Sequence, residues 1–234
     1  MKSTPVRDQV KDHLLTPKNA VLVIIDYQPP QIITTVSMDR QTLIGNMRAL
    51  IKTAKAFDVP IVLSTVNTIN GRNPDTIPQL KELLAGVPSI DRTSINAWED
   101  EEFYQAIKAT KRKKLIIAAL WTDACLLFPT MDAIKEGYEV FPVVDCVGAN
   151  SIEGHKAALQ RMVHAGAQPV GWNSVACELQ RDWGRHETVT GFMEAVKEQG
   201  HGWGWFISVS QEIEEYHNYK GASAMQVQGT QPPH

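Results

Sequence analysis

Short apolar runs alternate along the chain with longer segments of mixed polarity. The strongest run, at 20–25, is continuous rather than alternating, as is expected of a strand buried on both faces of a parallel sheet. Runs of this kind predict strands at 20–25, 60–63, 115–120, 140–144 and 169–172.

Helical spacing of apolar residues appears between these runs. It covers 43–54 and 103–114, and a third pattern over 157–165 is followed by Gly166, a residue typical of helix C-termini. Strands that alternate with helices at this spacing predict βαβ units. We therefore expect an α/β fold with a mostly parallel central sheet and helices on both faces.

Length and charge narrow the class of protein. The chain has 234 residues and a net charge of −3, so it offers no overall basic excess to bind nucleic acid. The apolar run at 20–25 is too short to span a bilayer, which takes about 20 residues in a helix. Three cysteines are too few for a disulfide framework and are typical of a reducing compartment. We expect a cytoplasmic protein with no nucleic-acid or membrane partner.

Motifs for common cofactors and metals are missing from the sequence. It contains neither G-x-G-x-x-G nor G-x-x-x-x-G-K-[ST], and neither C-x-x-C nor H-E-x-x-H. No histidine lies between His13 and His155, which excludes a histidine-rich metal site in the first half. We expect no cofactor and no metal.

Two residues at predicted strand ends are candidates for chemistry. Asp26 ends the first apolar run, where ligands bind in open parallel sheets; its alternative role is that of a loop carboxylate or helix cap. Cys125 follows the run at 115–120 and lies near the start of a helix, whose dipole lowers a thiol pKa. The alternative for Cys125 is a small buried side chain, an interpretation that suits Cys146 and Cys177 better.

Basic residues add one further candidate. Arg92 would favour the thiolate form of Cys125 if it lay near Cys125 and Asp26. Judged on its own neighbours in the sequence, Arg92 is better interpreted as a surface arginine paired with Asp91. The basic run at 111–114 is interpreted as a solvated helix end rather than an anion site.

Asp26, Arg92 and Cys125 together are the residues on which a family resemblance depends. The chain resembles the isochorismatase-like cysteine hydrolases, most closely their YcaC-type branch, over about residues 15–200. The matching stretches are AVLVIIDYQ at 20–28, INAWEDEEF at 95–103, LIIAALWTDACLLFP at 115–129 and VACELQRDW at 175–183.

The resemblance implies a Rossmann-like three-layer sandwich and a catalytic triad of Asp26, Arg92 and Cys125. Cys125 would attack a small amide or related substrate and form a covalent thioester. The family also has a cis peptide just before the cysteine, here between Leu120 and Trp121. The backbone N–H groups of Trp121 and Cys125 would then form an oxyanion hole.

Departures from the family pattern argue against some of the family's activities. Many members have lysine where this chain has Arg92. Lysine can gain or lose a proton, whereas arginine effectively cannot, so Asp26 would be the only proton carrier among Asp26, Arg92 and Cys125. The loop at 67–78 lacks the histidine of the nicotinamidase metal site, which argues against zinc. Isochorismatases proper lack the nucleophilic cysteine, so Cys125 argues against vinyl-ether hydrolysis.

Four further side chains are predicted to contact substrate, although core packing is an open alternative for them. They are Tyr27, Gln28, Asn96 and Trp98.

The last part of the chain lies outside the resemblance. We expect a hydrolase domain at 1–200 and an extension at 201–234 with a flexible aromatic start, packing on the body or on a neighbouring subunit of a homo-oligomer. The expected partner of the domain is a small-molecule substrate. The alternative function is a non-catalytic or redox-responsive small-molecule-binding protein on the same fold.

Overall fold

A five-stranded parallel sheet forms the centre of the protein. The computed structural model describes residues 7–200 and 202–228. Within them the sheet has the order β3-β2-β1-β4-β5, and all its paired strands run parallel. The strands are β1 Ala20–Ile25, β2 Ile61–Val66, β3 Ser89–Arg92, β4 Lys114–Ala119 and β5 Glu139–Pro142.

Four of the five predicted strands are confirmed, β1 with its predicted ends and the other three with shifted ends, and the fifth is wrong. The segment 169–172 makes one isolated bridge, between Val143 and Val170. A helix then begins at Trp172, whose backbone N–H donates to the Asp145 carboxylate. The apolar pattern missed β3, because serine, aspartate and arginine interrupt this short edge strand.

Helices cover both faces of the sheet, which confirms the three-layer prediction. With the right-handed crossovers usual for parallel strands, this strand order places α2 and α3 on one face and α4 and α5 on the other. Helices α7 and α8 pack with α2, and α6 packs with α5. The helices are α1 Pro29–Ile33, α2 Arg40–Ala56, α3 Pro78–Lys81, α4 Glu101–Ala109, α5 Leu127–Lys135, α6 Ile152–Ala165, α7 Trp172–Gln180, α8 His186–Glu198 and α9 Gly202–Gln228.

The two central strands form the middle of the hydrophobic core. Every residue of β1 and β4 is buried, as continuous apolar runs require when helices lie on both faces. Helix α6 ends as predicted, because Gly166 takes a left-handed conformation with φ 109°.

The basic run at 111–114 does not form a helix end. Helix α4 stops at Ala109, and Lys111 has a positive φ of 55° in the turn that follows. Lys114 already belongs to β4 and is buried, with its Nζ bound to the His13 carbonyl and the Glu139 carboxylate at 2.8 and 2.7 Å. The prediction of a fully solvated run is therefore wrong for Lys114.

The C-terminal segment is a long helix rather than a flexible tail. The first turns of α9 pack on α8, where Trp203 meets Trp183 and Phe192 edge to face. Gly204 lets the helices approach closely, since a Cβ at that position would clash with a carbonyl of α8. The division of the chain at residue 200 stays a prediction, and residues 229–234 of the predicted extension lie outside the described residues.

The described helices include none that is both long and apolar enough to cross a membrane.

Candidate active site

Asp26 is placed by the end of the central strand β1. Its backbone N–H still donates to the Ser64 carbonyl of β2, but its φ of 62° is left-handed. A left-handed turn directly after an extended strand points the side chain off the edge of the sheet, and aspartate tolerates it better than most residues. The carboxylate is fully buried there.

Arg92 reaches Asp26 from the edge strand β3. Its Nη1 and Nη2 donate to the two carboxylate oxygens of Asp26, each at 2.8 Å, in a bidentate pair that is buried on both sides. Nη1 also donates to the Ser64 hydroxyl and the Thr65 carbonyl of the intervening strand at 3.1 and 3.0 Å. Burial lowers the pKa of Arg92, but the Asp26 bonds and charge outweigh it and raise the pKa overall.

Cys125 lies in a π-helical turn, Thr122–Leu126, between β4 and α5. Its side chain is 8% exposed and interacts with Asp26, Arg92 and the backbone N–H of Trp121. The structure therefore brings the three predicted triad residues together. Burial raises the pKa of the Cys125 thiol most, and the charge and hydrogen bond of Asp26 raise it further. Arg92 and the Trp121 N–H lower it by less, so the thiol pKa is about 12. The expectation of a lowered thiol pKa is thus wrong for this state of the protein.

The peptide bond between Leu120 and Trp121 is cis, as the family resemblance implied. The segment around it is tied to its neighbours on three sides. The Leu120 N–H donates to the Ile25 carbonyl at 3.1 Å, and the Thr122 N–H donates to the Gly148 carbonyl at 2.9 Å. The Trp121 indole N–H donates to the Gln31 carbonyl at 3.2 Å.

Tyr27 and Gln28, two of the predicted substrate contacts, are fully buried. The Tyr27 hydroxyl donates to the Cys146 carbonyl. The Gln28 amide donates to the Val66 and Pro74 carbonyls at 3.1 and 2.8 Å, and its oxygen accepts the Val66 N–H. Their polar groups hold neighbouring loops in place, so these bonds favour a structural role over contact with substrate.

Asn96 and Trp98, the other two, also bond to the protein. Asn96 accepts the Trp98 N–H at 3.1 Å and donates to Asp132 at 2.7 Å. The Trp98 indole donates to Glu136 and packs edge to face on Phe103, Tyr104 and Tyr138. Their role as substrate contacts stays a prediction that this packing does not favour.

Sequence reasoning missed several residues that build the site. Ser64 lies inside an apolar strand, and its polar side chain was the signal that strand β2 faces the guanidinium. Thr65 contributes only its backbone carbonyl to Arg92, which no side-chain pattern reveals. Ser94 follows Arg92 by two residues; its buried hydroxyl and the Arg92 Nε have no hydrogen-bond partner among the described residues. His155, on α6, contacts the Thr122 hydroxyl through Nδ1 at 2.9 Å.

The other two cysteines differ in their environments. Cys146 is fully buried, as predicted, whereas Cys177 is exposed on α7, so the prediction of a buried position is wrong for it. Among the residues that the structure describes, no group of three or more histidine, cysteine, aspartate or glutamate side chains is arranged to hold a metal ion.

Comparison with known proteins assigns the chain to a family. The family model described as the isochorismatase domain matches residues 20–174, which contain Asp26, Arg92 and Cys125. The chain belongs to the isochorismatase family. Among curated proteins of this family, the probable hydrolase YcaC of Escherichia coli K12 is 39% identical over 171 residues, covering 72% of this chain and 81% of the relative.

Solved structures of the isochorismatase family agree with this assignment. YcaC from Pseudomonas aeruginosa, solved with hexane-2,5-diol and covalent acrylamide, is 34% identical with a TM-score of 0.79, covering 86% of this chain and 98% of that one. The E. coli YcaC, described as an octameric hydrolase of unknown specificity, is 32% identical with a TM-score of 0.76, covering 92% and 98%. The comparisons support an isochorismatase-family hydrolase.

Proposed function

We propose that the chain is a cysteine-dependent hydrolase that cleaves the C–N bond of a small amide or related substrate through a thioester. The observation that carries the proposal is the electrostatic interaction of the Cys125 thiol with the buried, bidentate Asp26–Arg92 pair. Asp26 and Cys125 follow β1 and β4, between which the order of the sheet reverses, and this is where ligands bind in open α/β sheets.

The first step is transfer of the Cys125 proton to Asp26. A thiol with a pKa of about 12 is protonated at neutral pH, so it needs a base in contact with it before it attacks. Arg92 stays protonated throughout and therefore positions the carboxylate and stabilises negative charge near the sulfur.

The second step forms the sulfur–carbon bond at the substrate carbonyl. The carbonyl oxygen takes up the displaced electron pair and is stabilised by the backbone N–H groups of Trp121 and Cys125. Asp26 returns the proton to the departing nitrogen as the C–N bond breaks, leaving an acyl group on Cys125. Asp26 then activates a water molecule, which hydrolyses the thioester and regenerates the thiol.

Two buried polar atoms are consistent with a polar substrate. Arg92 Nε is a buried donor that no described residue accepts from, and the Ser94 hydroxyl can donate or accept. Buried polar groups are rarely left without partners, so we propose that a carbonyl or amide group of the substrate bonds to one or both.

The covalent ligand in the structure of one relative suggests a probe. P. aeruginosa YcaC was solved with covalent acrylamide, and acrylamide is both a small amide and a thiol-reactive electrophile. We propose that Cys125 forms a covalent adduct with acrylamide and an acyl adduct with small amides. Both are detected by intact-mass measurement followed by peptide mapping.

The test requires matched cysteine variants. The exposed Cys177 is replaced by alanine first, so that adducts on its thiol do not contribute to the measured mass. In that background, Cys125→Ala is expected to abolish both the adduct and amide turnover, whereas Cys146→Ala keeps them. An acyl adduct at any other residue, or turnover that survives Cys125→Ala, contradicts the proposal.

The alternative function, a redox-responsive binding protein, predicts a different result. Oxidation requires thiolate character, and the raised pKa of Cys125 disfavours it in the resting state. Oxidation of Cys125 by peroxide without acyl adducts or amide turnover would favour this alternative.

Assembly and location also belong to the proposal. The E. coli relative is an octamer, and we infer that this chain forms a homo-oligomer. A cytoplasmic location stays a prediction.

A further inference from the structure

Helix α9 presents an apolar stripe that the body of the protein does not cover. Trp205, Phe206 and Ile213 are 63%, 64% and 51% exposed. With the half-buried Val209 they recur at intervals of three and four residues, so they share one face of the helix.

That face points away from the body. The residues of α9 that pack on α8 are Trp203, Gly204 and Ile207, and at 3.6 residues per turn they lie on the opposite side of the helix. From residue 210 to residue 218 every described side chain is exposed. At about 1.5 Å per residue, this exposed stretch is about 13 Å long and is available to another molecule.

An apolar groove lies on the other face of the sheet. It has a volume of about 390 Å³ and is formed by strands β2 and β3 and the last turns of α4. Its lining is almost entirely aliphatic, with Thr110 as the polar exception: Ile61, Val62, Leu63, Pro88, Ile90, Ala106, Ala109 and Thr110.

The charges beside the two surfaces are opposite. Glu212 is exposed beside the α9 stripe, and Glu214 and Glu215 are exposed farther round the same helix. The exposed Lys108 and Lys111 flank Ala109 and Thr110 at the end of the groove. An acidic amphipathic helix is therefore complementary to the groove in both hydrophobicity and charge.

We propose that the apolar stripe of α9 docks into the β2–β3–α4 groove of a second copy of this chain. The helix cannot reach its own groove, because α9 packs on α8, on the α2 side of the sheet, and the groove lies on the α4 side. Such a contact uses two different surfaces of each subunit, so repetition of it closes a ring or extends an open assembly.

The experiment measures the mass of the full chain in solution by light scattering and sedimentation. The double variant Phe206→Glu with Ile213→Glu is expected to raise the dissociation constant of the assembly by about 30-fold or more, as loss of a central apolar contact does. Val163→Glu, at a position 48% exposed on α6, is the matched control and leaves the mass unchanged. Circular dichroism shows that each variant is folded.

Charge reversal identifies the groove as the partner. Glu212→Lys and Lys111→Glu each weaken assembly, and the two changes in one chain restore it. An assembly that survives the Phe206/Ile213 double variant overturns the proposal. Assembly that depends on α9 but is insensitive to both Ala109→Glu and Lys111→Glu also overturns it, since α9 would then pair with another surface.

Discussion

Two cysteines of this chain are each buried next to an aspartate, yet their surroundings differ. Cys125 interacts with Asp26, and Cys146 interacts with Asp145. In both, burial raises the thiol pKa most and the carboxylate raises it further. Of the two, only Cys125 also has interactions that lower its pKa, with the Arg92 guanidinium and the backbone N–H of Trp121. A thiol beside a carboxylate is therefore not enough for chemistry, because the thiolate also needs groups that stabilise its charge.

The two aspartates differ in the same way. Asp26 is bound by both terminal nitrogens of Arg92. Asp145 instead accepts the N–H of Trp172 at the start of α7, and burial raises its pKa. The first carboxylate is held next to a permanent cation at the edge of the sheet, and the second caps a helix.

The largest expected effect separates the two carboxylates. Asp26→Asn removes the proposed base, and we expect amide turnover to fall by about 10⁴-fold, as loss of the acid member of a triad does. Asp145→Asn is the matched control and is expected to change turnover by less than about threefold, because its amide oxygen still accepts the Trp172 N–H. Steady-state rates for the two purified variants decide between these outcomes; equal losses would mean that Asp26 has no special role.

The next effect concerns the cation that only the Cys125 site possesses. Arg92→Gln leaves Asp26 buried without its partner, which costs about 3–5 kcal/mol of unfolding free energy. Lys81→Gln breaks an exposed pair with Asp75 and is expected to cost less than about 1 kcal/mol. Urea unfolding followed by circular dichroism measures both. A loss at Arg92 no larger than the loss at Lys81 would show that the buried pair contributes little to the fold.

A smaller effect comes from the titration of the buried thiols. Both have a pKa above the ordinary value of 9.0, so the native state holds their protons at a pH where the unfolded chain releases them. Stability therefore falls as pH rises above 9, by about 1.3 kcal/mol per thiol between pH 8 and pH 10.

Alanine variants separate the two contributions. Cys125→Ala and Cys146→Ala should each reduce the loss of unfolding free energy between pH 8 and pH 10 by about 1.3 kcal/mol. The double variant should reduce this loss further. Urea unfolding at pH 8, 9 and 10 measures the slopes. A wild-type protein as stable at pH 10 as at pH 8 would contradict raised thiol pKa values.

The sequence reasoning placed some of these residues well and others poorly, for physical reasons. Asp26 and Cys125 follow long continuous apolar runs, and the ends of such strands are readable from the pattern alone. Arg92 ends a short polar edge strand, so only the family resemblance marked it. The thiol pKa was misjudged because the helix dipole is visible in a sequence, whereas burial and the Asp26 contact depend on the fold.

Long-range contacts explain the other differences. Gln28 bonds to the backbone of Val66 and Pro74, residues 38 and 46 positions away, and no local pattern predicts such partners. Trp203 and Gly204 suggested flexibility by composition, yet they pack on α8. Cys177 has the same local apolar neighbours as a core residue but lies on the outer side of α7.

A last effect, on stability and not on turnover, tests whether the Cys146 region supports the site without taking part in the chemistry. Tyr27 directly follows Asp26, and its hydroxyl donates to the Cys146 carbonyl, so it joins the two regions. Tyr27→Phe leaves a buried carbonyl without that donor and is expected to cost about 1–3 kcal/mol of unfolding free energy. If Tyr27 is structural, KM for the amide substrate stays unchanged while urea stability falls. A raised KM with unchanged stability would instead make Tyr27 a substrate contact, and the second cysteine region would then belong to the active site.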